Sequence, residues 1–260
     1  MDFKNKTALI TGSGQGVGRG IALALSDRGS NIALIGRTLS KVKAVADEII
    51  SNGGSAIAIE CDVKYRDSIK SAIDQTISEF TSINFLINNA QEVPLGNLLQ
   101  VSDDAFEAGW MSGPLATFHF MKMCHPFLKG GGKIINLASS SALRPDSEGY
   151  GAYASVKEAI RALSRTAAVE WGPDNILVNC IMPLAKSTGM EWWMNERPEE
   201  AAEFVKTIPL GKVGDCKDDI GEAVCHLLSD GMSYITGSTI MIDGGPVSYT
   251  HLTLPTILLV

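Results

Sequence analysis

The sequence of 260 residues is short of cysteine, histidine and positive charge, and each shortage excludes something. Its five cysteines, Cys61, Cys124, Cys180, Cys216 and Cys225, are odd in number and include no CxxC pair. That argues against a disulfide framework or a zinc site and for buried free thiols in a reducing compartment. His119, His125 and His226 have no ligand spacing and no carboxylate motif beside them, so they read as core or surface residues and no metal is expected. Lys and Arg number 22 against 29 Asp and Glu, a formal charge of -7. This is the wrong sign for a nucleic-acid or anionic-membrane surface. No apolar run reaches the ~18 residues of a membrane span. The chain enters a strand almost at once, leaving no room for a signal peptide, and a cytoplasmic protein is expected.

What is present is ordinary globular material: 45% hydrophobic and 20% charged residues, enough for one large α/β domain with a substantial core. Thr7 to Thr11 is a short apolar strand. Gly12-Ser13-Gly14-Gln15-Gly16-Val17-Gly18 follows, then Arg19 to Arg28 with the apolar spacing of a helix. Strand, glycine-rich turn and helix start make a phosphate cradle. Glycine lets the backbone approach a pyrophosphate, and the helix start supplies free amides and a positive dipole. The second strand, Asn31 to Ile35, ends in Gly36-Arg37-Thr38. The carboxylate that would hold an NAD ribose is missing there, and Arg37 offers a guanidinium for a 2′-phosphate, so NADP(H) is preferred with NAD(H) still admissible. Lys41 to Ile50 reads as a helix capped by Ser40.

Ser55 to Glu60 is strand three. Asp62, with Val63 after it, either meets an adenine at the sheet edge or caps the next helix, Asp67 to Phe80. Strand four, Ile83 to Ile87, runs into Asn88-Asn89-Ala90, whose amides suit either a strand lock touching the ribose or a plain loop. A long helical region, Asp103 to Leu128, is broken at Gly113-Pro114. Gly130-Gly131-Gly132-Lys133 lacks the phosphate-loop spacing and precedes a strand, so it reads as a turn. This alternation of strands and helices predicts a Rossmann-type, doubly wound parallel sheet of about seven strands with helices on both faces.

After strand Lys133 to Leu137 comes the stretch from Ser139 to Lys157. Tyr153 and Lys157 are four apart at the opening of a helix, so both side chains leave one face. A phenol ordinarily titrates near pH ~10. An adjacent ammonium favours the phenolate and makes the group usable as an acid or base. A hydroxyl at Ser140, thirteen residues before Tyr153, could orient a substrate oxygen against the phenol.

In order, Thr11 to Gly18, Asp62-Val63, Asn88-Asn89-Ala90, Ser140 and the Tyr153 to Lys157 pair resemble the single-domain branch of the short-chain dehydrogenase/reductase family. The run Ile235 to Gly245 is similar to the last strand of its 3-oxoacyl-carrier-protein-reductase-like members. The resemblance spans about residues 3 to 246 and defines one domain over 1–246. It implies hydride transfer between NADP(H) and a carbonyl or alcohol carbon. Tyr153 would be the acid/base, Lys157 would bind the nicotinamide ribose and lower the Tyr153 pKa, and Ser140 would hold the substrate oxygen in preference to Ser139. It further implies that Gly12, Ser13, Gln15, Gly16, Val17, Gly18, Arg37, Asp62, Val63, Asn89, Ala90, Tyr153, Lys157, Lys186 and Thr188 contact the cofactor, and that the protein is a homotetramer or homodimer.

Three departures fall where cofactor and substrate would meet: Gln91 for the usual glycine after Asn-Asn-Ala, Leu184 for the glycine after Pro183, and Gly113 at the place of a helix Asn that holds a proton-relay water. They suggest a divergent subfamily with a reshaped pocket. Met190-Glu191-Trp192-Trp193-Met194 and the helical run Pro198 to Ile208 would cover that pocket. The apolar and aromatic character of the Met190 to Met194 stretch suits a cyclic, aromatic or long-chain ketone, with a 3-oxoacyl substrate equally admissible. A cofactor-binding sensor without turnover is the alternative, favoured by Gly113 and opposed by Ser140, Tyr153 and Lys157. Val247 to Val260 leave the family pattern and look like translated sequencing adapter, so a different native C-terminus is expected.

Overall fold

Short, continuously apolar strands are what a sheet covered on both faces requires, and seven of them pair in parallel in the order β3-β2-β1-β4-β5-β6-β7. The computed structural model describes residues 2–143 and 149–246. Residues 144–148 of the loop before Tyr153, and the adapter-like run 247–260, lie outside them. The strands are β1 Thr7–Thr11, β2 Asn31–Gly36, β3 Ser55–Glu60, β4 Phe85–Asn88, β5 Lys133–Leu137, β6 Leu177–Pro183 and β7 Thr239–Ile242. The helices are α1 Gly16–Ser26, α2 Leu39–Ser51, α3 Arg66–Phe80, α4 Asp103–Trp110, α5 Ala116–Leu128, α6 Gly151–Trp171, α7 Thr188–Glu196, α8 Pro198–Lys206 and α9 Glu222–Leu228.

Alternate strand residues feed two cores. Ala8, Ile10, Ile32 and Leu34 pack with α1, α2 and α9 on one face. Leu9, Ala33, Ile35 and Leu86 pack with α3, α5 and the far part of α6 on the other. The strand order reverses between β1 and β4, which opens a crevice at their carboxyl ends.

Three local expectations are corrected. The long helix does not break at Gly113-Pro114. A π-helical turn, Met111–Leu115, joins α4 to α5, because its wider winding accommodates a proline that lacks the N–H of an ordinary turn. Ser40 does not cap α2, which begins one residue earlier at Leu39; Thr38 flanks it without a side-chain cap bond. Asp62 does not cap α3, which follows Tyr65, since the Asp62 carboxylate already accepts from the Lys64 N–H at 3.0 Å. The Gly130 to Lys133 stretch is a turn at the opposite edge of the sheet, where Lys133 Nζ donates to the Leu228 and Ser229 carbonyls. All five thiols are free; Cys216 is half-buried and the others buried. Among the described residues no helix is long and apolar enough to cross a membrane.

Candidate active site

The glycine turn and the Asn-Asn-Ala segment are built as one piece. Thr11 Oγ1 accepts from the Asn89 and Ala90 N–H groups, both at 2.9 Å. Asn89 Nδ2 donates to the Thr11 and Gly12 carbonyls, both at 3.0 Å. Gly12 has φ +64° and a Cβ there would meet Ala90 Cα at 2.9 Å, while a Cβ at Gly18 would meet the Gly12 carbonyl oxygen at 2.5 Å. Both positions therefore exclude any side chain. The strand lock is thus the correct reading of the two amides, and Asn88 adds to it by donating to Asn136 Oδ1 at 2.8 Å.

The first intrahelical bond of α1 runs from Arg19 N–H to the Gln15 carbonyl at 3.3 Å. The Gly16, Val17 and Gly18 amides precede it, with no side-chain cap and no acidic residue in the first turn. Such an end attracts an anion. Gly16 faces Ser187 and Thr188 at the start of α7, about 3.7 Å from where its Cβ would stand. Thr188 is exposed there behind the Ser187 cap. Lys186 is exposed, tied through its N–H to the Gly214 carbonyl. Ser13 differs from expectation: it is fully buried, with its N–H and hydroxyl both on the Ile35 carbonyl. Its side chain fastens the turn to β2 and does not face the crevice.

At the far end of the crevice, Arg37 after β2 and Lys64 after β3 converge on one carboxylate, Glu92. Arg37 Nη1 stands 2.5 Å and Lys64 Nζ 3.0 Å from Glu92 Oε1. Asp62 Oδ2 lies 4.0 Å from Lys64 Nζ, and Val63 beside it is buried. The Lys64 pKa is raised, chiefly by its hydrogen bond to Glu92. Lys41, on the first turn of α2, donates to Gln15 Oε1 at 2.8 Å. Lys41, Lys64 and Glu92 are absent from the sequence-based site; only Lys64, two residues beyond Asp62, carried a positional hint.

At the other end α6 starts at Gly151, so Tyr153 stands in its first turn and Lys157 one turn on. Lys157 is 3% exposed and its Nζ donates to the Leu137 carbonyl at 2.7 Å. That bond aims the ammonium at the end of β5 and over the Tyr153 ring, 5.6 Å from its centroid. Burial draws the Lys157 pKa down to about 8. Burial also pushes the Tyr153 phenol up to about 12, opposed by the Ser139 hydroxyl. Burial is thus the largest influence on the phenol, and it acts against the lowering expected from Lys157.

A serine other than the expected Ser140 lies against the phenol. The hydroxyl that meets the Tyr153 phenol is that of Ser139. β5 ends at Leu137, and Ala138 still bonds the Ile181 carbonyl. Ser139 is thus the first residue clear of the sheet, where it also accepts from the Ser141 N–H at 3.2 Å. Ser140 begins the 3₁₀ turn that follows.

Two departures from the family pattern meet in space. A Cβ at Gly113 would lie 2.4 Å from Gln91 Oε1 and 2.7 Å from Val156 Cγ1. Gln91 Nε2 donates to the Glu92 and Gly109 carbonyls at 2.6 and 2.9 Å, and its buried Oε1 has no partner among the described residues. The longer side chain at 91 fills the room left by the missing one at 113.

Residues 12–246 match the family described as enoyl-(acyl carrier protein) reductase. The chain belongs to the short-chain dehydrogenase/reductase family. It is 38% identical over 252 residues to a 12α-hydroxysteroid dehydrogenase from a Clostridium species, covering 94% of this chain and 97% of that one. Its fold superposes at a TM-score of 0.89, with 27% identity over 94% of this chain and 95% of the other, on a 7α-hydroxysteroid dehydrogenase complexed with NADH and 7-oxo glycochenodeoxycholic acid. A blue fluorescent protein from a metagenomic library, in complex with NADPH, superposes at 0.88 with 27% identity over 95% of this chain and all of that one. Family members of this kind are oxidoreductases, and these solved relatives hold a nicotinamide dinucleotide.

Proposed function

We propose that this short-chain dehydrogenase/reductase interconverts a bulky, apolar ketone and its secondary alcohol with NADP(H) as the preferred cofactor. The observation that carries the reading is the meeting of the Tyr153 phenol, the Ser139 hydroxyl and Lys157 at the carboxyl end of β5. The crevice fits a dinucleotide phosphate on its own chemistry: free α1 amides, Lys41 at Gln15, and the Arg37 and Lys64 cations beyond. Asp62, Val63, Asn89, Ala90, Lys186 and Thr188 line the remainder in this reading. A nicotinamide held there would supply the hydride for reduction or accept it in oxidation.

The chain's own residues handle the proton. A phenol pushed up to about 12 keeps its proton through the neutral range and stands loaded as the donor to a carbonyl oxygen. Ser139 holds that oxygen against the phenol. Lys157, drawn down to about 8 yet charged at neutrality, is held beside the ring by the Leu137 carbonyl. There it favours the phenolate that alcohol oxidation needs.

Substrate class is read from exposed apolar side chains on the 93–99 loop and on α7. The 93–99 loop exposes Val93, Leu95, Leu98 and Leu99, with Leu98 3.2 Å from where a Cβ on Gly151 would be. On α7, Trp192 is 65% exposed, while Trp193 packs edge-on against Phe204 of α8, ring centroids 5.8 Å apart. One tryptophan therefore braces the two helices and the other is free for a ligand. The similarity to hydroxysteroid dehydrogenases narrows the proposal to a fused-ring ketone or alcohol. The reading includes a homo-oligomer, supported by Phe106 and Trp110, which stack at 6.5 Å on the outer face of α4 and are both exposed.

The test follows absorbance at 340 nm with NADPH or NADH against 7-oxo and 12-oxo bile acids, cyclohexanone and a 3-oxoacyl thioester. Fastest turnover of a fused-ring ketone with NADPH is expected. Turnover of the thioester alone would overturn the substrate reading, and NADH preference the cofactor reading.

A further inference from the structure

The end of β2 carries no carboxylate, yet the fold delivers one to Arg37 from 55 residues further along the chain. Glu92 is anchored before its side chain begins. Its N–H donates to the buried Ser112 Oγ at 2.9 Å, and its carbonyl accepts from Gln91 Nε2 at 2.6 Å. From that fixed point its carboxylate bridges two cations on separate turns, Arg37 after β2 and Lys64 after β3. A surface pair formed by chance on one helix would not gather three chain segments.

We infer that Glu92 is a cofactor-selectivity residue, its carboxylate occupying the seat that a 2′-phosphate takes on Arg37 and Lys64. The inference rests on the NADP(H) reading of Arg37 above. The local charge makes the competition explicit. Arg37 and Lys64 are opposed by Glu92 and Asp62, so two positive and two negative groups cancel. A 2′-phosphate meets a neutral set, one member of which is an anion on the same guanidinium. For the phosphate to reach Arg37 the carboxylate must withdraw, since like charges on one partner repel. Asp62 does not withdraw with it, being held by the Lys64 N–H. NAD(H) requires no such withdrawal, and Glu92 presents its ribose 2′-hydroxyl with the acceptor missing from the end of β2. Glu92 therefore narrows the preference for NADP(H) that Arg37 creates.

The two nucleotides 2′,5′-ADP and 5′-AMP isolate this contact, and calorimetric titration reads it without turnover. Exposed ion pairs are individually weak, so Glu92→Gln is expected to tighten 2′,5′-ADP by about three- to thirtyfold for the two pairs relieved. The variant should leave 5′-AMP within twofold or weaken it. Arg37→Ala should weaken 2′,5′-ADP at least about tenfold in both backgrounds. If Arg37→Ala weakens 2′,5′-ADP but Glu92→Gln does not tighten it, the role of Glu92 is refuted while the NADP(H) reading stands. Equal tightening of both nucleotides would also refute it, as a general loss of negative charge. If Arg37→Ala leaves 2′,5′-ADP unchanged, the NADP(H) reading itself falls.

Discussion

Gly113→Asn asks whether Gln91 and Gly113 are a matched pair. The new Cβ would fall 2.4 Å from Gln91 Oε1 and 2.7 Å from Val156 Cγ1, well inside contact distance, with the amide still to be placed. Gln91 cannot swing away freely, because its Nε2 is held by the Glu92 and Gly109 carbonyls. Overpacking of this kind costs about 1–3 kcal/mol, and replacing glycine in a helix returns only a few tenths. A net loss of about 2 kcal/mol is expected, which for a chain of this size lowers Tm by roughly 4–8 °C. Differential scanning calorimetry measures it. In a Gln91→Gly background the space is vacant, the cost falls to the Val156 contact, and a coupling of at least about 1 kcal/mol emerges from the four-variant cycle. Additive effects, within about 0.5 kcal/mol, would refute the claim that the two departures compensate each other.

Three further outcomes follow from the same geometry. Ser139→Ala should lower kcat about a hundredfold or more, as loss of a hydrogen-bond donor to a reacting oxygen does, whereas Ser140→Ala should cost less than about fivefold; steady-state kinetics with a turned-over ketone decides between them. Lys157 has a folded pKa of about 8 against 10.5. The unfolded chain therefore binds more protons between these values, and stability rises with pH across that window. Urea denaturation should show the wild type gaining about 2 kcal/mol on Lys157→Met between pH 7 and pH 9.5, and parallel curves would contradict the burial argument. Trp110→Glu should convert a dimer or tetramer into monomers in sedimentation velocity, and an unchanged mass would remove this face from the interface.

The strands were legible because a sheet buried on both faces writes them as short, largely apolar runs, three of them closed by glycine or asparagine at Gly12, Gly36 and Asn88. Spacing also placed Tyr153 and Lys157 on one helix face. It could not say which serine faces the phenol, because counting back from Tyr153 assumes a loop length, whereas the end of β5 fixes Ser139. Nor could it give the direction of the Tyr153 shift, which depends chiefly on burial. Glu92 was invisible for another reason: its partners lie on turns distant in sequence. Gly113 and Gln91 each looked like a loss until the fold set them against each other.

The central claim is that Tyr153 moves the proton in a cofactor-dependent carbonyl reduction. The direct measurement is NADPH oxidation by wild type and Tyr153→Phe with one turned-over ketone, alongside the NADPH Kd of each from calorimetry. The account predicts a loss of about 10²–10⁴ in kcat with a Kd changed less than about threefold, since the variant keeps the Tyr153 ring and Lys157 in place and removes one hydroxyl. A variant that keeps more than a tenth of the wild-type rate would contradict it.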